Sequence, residues 1–272
     1  MTAMIPPEAA TSGRPVVIAL HCSGSSGRQW QPLEASLGDH CAVLAPDLIG
    51  CASVGHWGGD RAFGLDDEAS TLIGFIDGWS GPVHLVGHSY GGGVALQVAI
   101  RRSSRIASLS LYEPSAFHLL TSMGPEGKAA FGEIQDVALA VQNGILTGAY
   151  RAAAEIFVDY WNGSGSWERM KPHVQAELLR YLPKAVLDFR ALFAGSAQLD
   201  SLRRLDVPML IMHGERAPRP TALIARKLHA VARRGRLRTI RGAGHMGPLT
   251  HAESVAATIR EHILAGSIAA AA

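Results

Sequence analysis

Apolar residues along this chain fall into short unbroken runs, separated by stretches whose apolar positions recur at helical spacing. Residues 15–22, Pro-Val-Val-Ile-Ala-Leu-His-Cys, form the first run. It is brief, continuous and rich in β-branched residues, the pattern of a strand buried on both faces. Similar runs occupy 41–48, 82–88, 106–112 and 208–213, and a further strand is expected at 237–241. Between them, one-sided apolar spacing predicts helices over Gln29–Leu37, Leu65–Trp79, 92–99, Thr221–Ala232 and Ala252–Leu264. Strands alternating with helices predict an α/β fold with a mostly parallel sheet of about six strands, because parallel neighbours need crossover connections.

The alternation stops for about ninety residues after the fourth strand. From Ala116 to Leu202 the spacing is helical only, with helices expected over 125–143, 149–160, 172–181 and 187–193. Aromatic residues are frequent there, among them Phe117, Phe131, Phe157, Trp161, Phe189 and Phe193. They make either an ordinary helical core or the inner face of a lid over an apolar pocket. The expected organisation is a core of residues 1–114 and 203–272 with a helical insertion at 115–202.

Composition narrows the class. The chain has 272 residues, 47% hydrophobic and 18% charged, which suits one large domain with a sizeable core. A formal net charge of +2 gives no field aimed at nucleic acid. The densest basic stretch, Arg233–Arg238, reads as the end of one helix, where cations complement the helix dipole, and the opening of a strand. Cys22, Cys41 and Cys51 are odd in number and lack Cys-x-x-Cys spacing, which argues against a disulfide framework and against zinc. Residues 1–14 carry neither the basic nor the apolar region of a secretory signal, and Val16–Leu20 is too short to span a bilayer. The expectation is a cytoplasmic protein with a small-molecule substrate, no nucleic-acid or membrane partner, and no cofactor or metal. Oligomeric state, a homo-oligomer included, stays open.

The candidate chemistry centres on Gly87-His88-Ser89-Tyr90-Gly91, a G-x-S-x-G pattern between a strand and a helix. Small residues there permit the sharp turn that lifts a serine hydroxyl above a sheet. A serine needs a neighbouring base to become nucleophilic. His245, in the turn Gly242-Ala-Gly-His-Met-Gly247 after the last strand, is the best placed of twelve histidines. His84 falls inside a strand, His229 and His262 read as helix-surface residues, and His88 should point to the other side of the elbow. His21-Cys22-Ser23, Ser89, Glu113, Glu215 and His245 all fall at the carboxyl ends of predicted strands, where parallel sheets bind their ligands. Residues 242–247 also match G-x-G-x-x-G, but a dinucleotide site needs a further strand carrying an acidic residue, and only one helix follows.

The serine-before-histidine order, the elbow, the loop Leu20-His-Cys-Ser-Gly24, Pro46-Asp47-Leu48 and Gly242-Ala-Gly-His245 resemble the α/β-hydrolase superfamily. The resemblance covers the whole chain, with residues 115–200 in the place of the helical cap. It implies Ser89 as nucleophile, His245 as base, and the backbone N–H groups of Ser23 and Tyr90 as an oxyanion hole. Cys22 stands where the family loop normally has glycine, and the antiparallel hairpin that usually opens the sheet is missing or reduced. The usual acid position, three residues after the glycine that ends the fifth strand, is Ala217. Glu113, at the end of the fourth strand, is the expected acid; Glu215 is the alternative, and a Ser–His dyad the third reading. The implied activity is acyl-enzyme hydrolysis of a small, fairly apolar carboxylic ester, thioester or lactone. Hydrolysis of a C–C bond in a ketone or ring-cleavage product is the alternative, and a non-catalytic ligand-binding protein on the same fold the alternative of another class.

Overall fold

A computed structural model describes residues 13–51 and 54–270 of the chain. The expectation of a missing or reduced opening hairpin falls largely on residues 1–12, outside the described residues. Six strands make one sheet: β1 (Val16–Leu20), β2 (Ala42–Leu44), β3 (Val83–His88), β4 (Ile106–Tyr112), β5 (Met209–Gly214) and β6 (Gly235–Ile240). Their order is β2-β1-β3-β4-β5-β6, and every neighbouring pair is parallel. The chain goes outward from β1 to β2 and returns past β1 to β3. This reversal opens a crevice at the carboxyl ends of β1 and β3, where ligands of such sheets bind.

The helices that follow are α1 (Gln31–Leu37), α2 (Leu65–Gly78), α3 (Tyr90–Arg101), α4 (Gly124–Leu146), α5 (Tyr150–Asn162) and α6 (Ser166–Arg169). The series continues with α7 (Pro172–Phe193), α8 (Leu199–Arg204), α9 (Arg219–Val231), α10 (Gly247–Thr250) and α11 (Ala252–Ala270). Every residue of β1 is buried because its two faces meet two different cores. Val16, Ile18 and Leu20 join a cluster with residues of α2, α3 and α9. Val17 and Ala19 join a second cluster with Leu33 and Leu37 of α1 and Ile259 and Ile263 of α11. A strand sandwiched in this way has no polar face, so the apolar run is unbroken.

Several local expectations need correcting. The sequence predicts a break between residues 181 and 187, but α7 runs unbroken for 22 residues with Pro183 inside it. Proline removes one backbone bond of a helix, yet Leu182, Ala185 and Phe189 continue one buried face through that point. Packing of that face outweighs the local penalty. The basic stretch opens a strand as expected but does not end the helix: α9 stops at Val231, and Arg236 and Arg238 lie exposed on the edge strand β6. Charges on an edge strand oppose pairing with a second chain. His262 is buried on α11 rather than at its surface, and its Nε2–H donates to the Pro208 carbonyl at 3.3 Å.

Between β4 and β5 the described residues form helices α4 to α8 and no strand. Phe157, Trp161 and Phe189 from this segment line cavities that also contain Ser89. The helical segment therefore lies over the carboxyl ends of the central strands.

Candidate active site

The site starts from a strained turn. Ser89 has φ 54° and ψ −117°, and it sits between the last residue of β3 and the first of α3. Among the described residues, Ser89 and Glu113 are the two non-glycine residues with positive φ. Such conformations persist only where the surroundings over-determine them. Ser89 N–H donates to Tyr112 O at 3.0 Å, and Ser89 O accepts from Gly93 N and Ser115 N at 3.1 and 3.0 Å. The glycine at 91 is a packing requirement: a Cβ there would stand 2.5 Å from the carbonyl oxygens of both Leu20 and His21. The loop after β1 is thus pressed directly against the elbow.

The loop after β6 brings His245 to this turn. A carboxylate only accepts, so His245 Nδ1–H donates to Glu113 Oε2, at 2.7 Å. The other ring nitrogen, Nε2, is then free to accept from Ser89 Oγ–H, at 2.9 Å. Glu113 is fully buried, and its carboxylate also accepts from Gly214 N at 2.9 Å and Thr221 Oγ1 at 2.7 Å. Burial alone would push its pKa up; the hydrogen bonds and the adjacent imidazole outweigh that and hold it below the ordinary value. The Glu113 carboxylate is therefore ionised at neutral pH, while the serine and histidine line up behind it.

Glu215 takes a different position. It is exposed, and its Oε2 accepts the Gly242 N–H at 2.8 Å. The geometry thus joins Glu113, not Glu215, to His245. Ala217 closes a turn through its N–H to Gly214 O at 3.2 Å. His88 is not idle: its Nε2–H donates to the His245 carbonyl at 2.9 Å. Burial, then the nearby His245, hold its pKa well below the imidazole value, so it is a neutral structural donor. Tyr112 OH donates to Gly244 O at 2.7 Å, pinning the same loop from the next strand.

Ser23 and Tyr90 flank the serine. Ser23 follows β1 and lines both cavities that contain Ser89. Tyr90 is the first residue of α3, whose opening N–H groups have no partner within the helix. Two further residues at the site, Ser115 and Asp188, carry no sequence signal of their own, and Trp161 is one of the aromatic residues singled out in the helical insertion. Ser115 Oγ lies 3.1 Å from Ser89 Oγ. Trp161 lies over the His245 ring with centroids 4.2 Å apart. Asp188, from α7, accepts the Ser23 hydroxyl at 2.7 Å.

The cavities are unequal. A narrow one of about 20 Å³, room for a single water, is lined by Ser115, Phe117, Phe189 and Leu192 beside Ser89. A wider one of about 200 Å³ is lined by Gly24, Val158, Met170, Leu178, Met246 and His245. Phe157 and Trp161 border both. Among the described residues no group of three or more His, Cys, Asp or Glu could hold a metal ion, and no helix is long and apolar enough to cross a membrane.

Comparison with known proteins bears on this arrangement. The model of the alpha/beta hydrolase family matches residues 17–258. Lipase LipV of Mycobacterium tuberculosis is 34% identical over 105 residues, 38% of this chain and 39% of that protein. The 2-hydroxy-6-oxo-2,4-heptadienoate hydrolase of Pseudomonas putida is 33% identical over 104 residues, 37% of each chain. The matches thus span less than half the length of these curated relatives. Among solved structures, a thermophilic esterase from Thermogutta terrifontis superposes with a TM-score of 0.69 at 20% identity, covering 93% of this chain and 90% of that one. An alpha/beta hydrolase enzyme from a Medee basin deep-sea metagenome library superposes with a TM-score of 0.75 at 14% identity, covering 93% and 90%. At such identities the structures speak for the fold, and the family match covers most of the chain. The protein belongs to the alpha/beta hydrolase family.

Proposed function

We propose that the protein is a serine hydrolase acting on small, uncharged, largely apolar carboxylic esters, thioesters or lactones. One observation carries this reading: the continuous relay from Ser89 Oγ through His245 to the buried Glu113 carboxylate, at 2.9 and 2.7 Å. His245 Nε2 takes the hydroxyl proton as Ser89 Oγ attacks the carbonyl carbon. The oxyanion is held by the backbone N–H groups of Ser23 and Tyr90. The imidazolium, stabilised by Glu113, returns the proton to the departing alcohol or thiol and leaves an acyl-serine. Water then enters by the same route, giving up a proton to His245, and the acid is released as Ser89 regains its own.

Helices α4 to α7 act as the cap, and their aromatic residues exclude water from the reacting atoms. The narrow cavity takes a short apolar group and the wider one the remainder of the substrate. The charges around both favour a neutral ester over a ring-cleavage acid. Among the described residues neither lining includes lysine or arginine; Glu177 borders the wider cavity, and Asp188, beside the narrow one, is already paired with Lys184. A dienoate, the substrate named for the Pseudomonas putida relative, carries a carboxylate for which these linings offer no lysine or arginine partner.

The test is intact-mass analysis after incubation with a fluorophosphonate, followed by peptide mapping and by turnover of p-nitrophenyl acetate and butyrate. A single adduct on Ser89, with turnover lost in Ser89→Ala, is expected. No adduct and no turnover would mean a non-catalytic binding protein. Faster cleavage of a 2-hydroxy-6-oxo-dienoate than of any neutral ester would replace the ester reading with the C–C reading.

A further inference from the structure

A buried ionic network connects the helix over the site to both residues that flank the nucleophile. Lys184 and Asp188 lie one turn apart on α7, with side chains 1% and 3% exposed. Lys184 Nζ donates to Asp188 Oδ1 and lies 3.7 Å from Glu68 Oε1. Its ammonium also stands over the rings of Phe63 and Tyr90, at 4.5 and 4.7 Å. The second Asp188 oxygen accepts from Ser23 Oγ at 2.7 Å and from the Tyr181 hydroxyl. Glu68 accepts the Tyr90 hydroxyl at 3.2 Å and the Ile49 N–H at 3.1 Å. The side chains of Ser23 and Tyr90 thus each end on a buried carboxylate, and one lysine lies between the two.

Burying three ionisable groups is a costly way to hold a helix down, since apolar residues of equal volume would do so at least as well. What ions and hydrogen bonds supply is direction. The loop after β1 lacks helix or strand at residues 21–26. It is steadied by Cys22 N–H to Gln29 Oε1 at 3.3 Å, by Ser25 N–H to Cys22 O at 3.2 Å, and by the Ser23–Asp188 bond. Of these three, only the last reaches out to the helices between β4 and β5.

We propose that Asp188, its charge balanced by Lys184, is a positioning residue that fixes Ser23 so that its backbone N–H faces the developing oxyanion. Seating α7 on the core completes the oxyanion hole, which couples closure of the cap to catalytic competence. This inference rests on the serine-hydrolase reading.

The experiment compares the full-length protein with Ser23→Ala, Ser23→Thr, Asp188→Asn and the double variant Ser23→Ala/Asp188→Asn. The readouts are kcat and KM for p-nitrophenyl acetate, inhibition by an aryl trifluoromethyl ketone, and the rate of Ser89 labelling by a fluorophosphonate. Ser23→Ala and Asp188→Asn should each lower kcat about tenfold to a hundredfold, less than outright loss of an oxyanion donor, with KM little changed. Affinity for the trifluoromethyl ketone should fall by the same factor, and the double variant should be no worse than either single one. Ser23→Thr, which keeps the hydroxyl, should restore most of kcat. Should Asp188→Asn fail to fold, the Ser23→Ala and Ser23→Thr pair decides. Wild-type kcat and inhibitor affinity in Ser23→Ala would overturn the positioning role alone, provided the wild type is labelled at Ser89. A wild type that neither labels nor turns over ester would overturn the hydrolase reading and this inference with it.

Discussion

The indole of Trp161 covers the imidazole of His245, ring centre 4.2 Å from ring centre and tilted by 31°. One ring comes from α5 and the other from the loop after β6, so the helical segment touches the proposed base itself. An aromatic face over a histidine keeps water off it and would favour the imidazolium of the proposed proton transfer. The same indole borders both cavities at Ser89.

Trp161→Leu should therefore change rate and selectivity together. A loss of about tenfold in kcat/KM is expected from the weakened imidazolium contact and from looser packing. Removal of the shared wall should also let longer acyl chains compete with short ones. Trp161→Phe should retain most of the activity and the short-chain preference. Steady-state kinetics on a p-nitrophenyl ester series from acetate to octanoate measures both effects.

Glu113 and Glu215 make a clean pair of variants, since one carboxylate meets His245 and the other meets Gly242 N. Glu113→Gln offers no full negative charge to the imidazolium, and its amide can favour the wrong tautomer. The expected loss in kcat is about a thousandfold or more, by analogy with amide replacement in a serine–histidine–aspartate triad. Glu215→Gln should stay within about twofold of wild type, because the residue touches neither reacting group. Turnover of p-nitrophenyl acetate at saturating substrate checks both; the reverse order would move the acid to Glu215.

Glu68 sets a pH dependence of stability. Burial raises its pKa from 4.5 to about 7, against the opposing pull of Lys184 and the Ile49 N–H. The folded protein then binds more protons at this site than the unfolded chain between those two values, so stability falls as pH rises through that window. Full stability from this group is present below the unfolded value and is lost by the folded one. Glu68→Gln keeps acceptors for Tyr90 and Ile49 but cannot ionise. Its melting temperature should decline less than that of the wild type between pH 5 and about 8, as read by circular dichroism. Parallel curves for the two proteins would remove Glu68 as the source.

The central strands of the sheet were legible because burial on both faces leaves a mark on nearly every residue, whereas the edge strand β6 is largely exposed. Val16 to Leu20 could hardly be anything else. The elbow that carries Ser89 was equally legible, since a strand, a helix and the glycines of the turn must be neighbours in sequence. His245 followed from its place after the last strand. Less visible was α7, where Pro183 points locally to a break that the packing of Leu182, Ala185 and Phe189 overrides. His262 looked like a surface residue because its partner, the Pro208 carbonyl, lies 54 positions away.

The chain's own pattern of apolar runs and turns determined the parallel sheet, the elbow and the ends at which reactive groups gather. Those features depend on periodicity and on neighbours a few residues apart, which a linear sequence records directly. Which carboxylate meets the histidine was decided only in three dimensions. So were the seat of Trp161 on His245 and the joining of Ser23 to Asp188 across 165 residues of chain. Each is a contact between side chains whose approach is set by the packing of whole elements, and no local spacing encodes that distance.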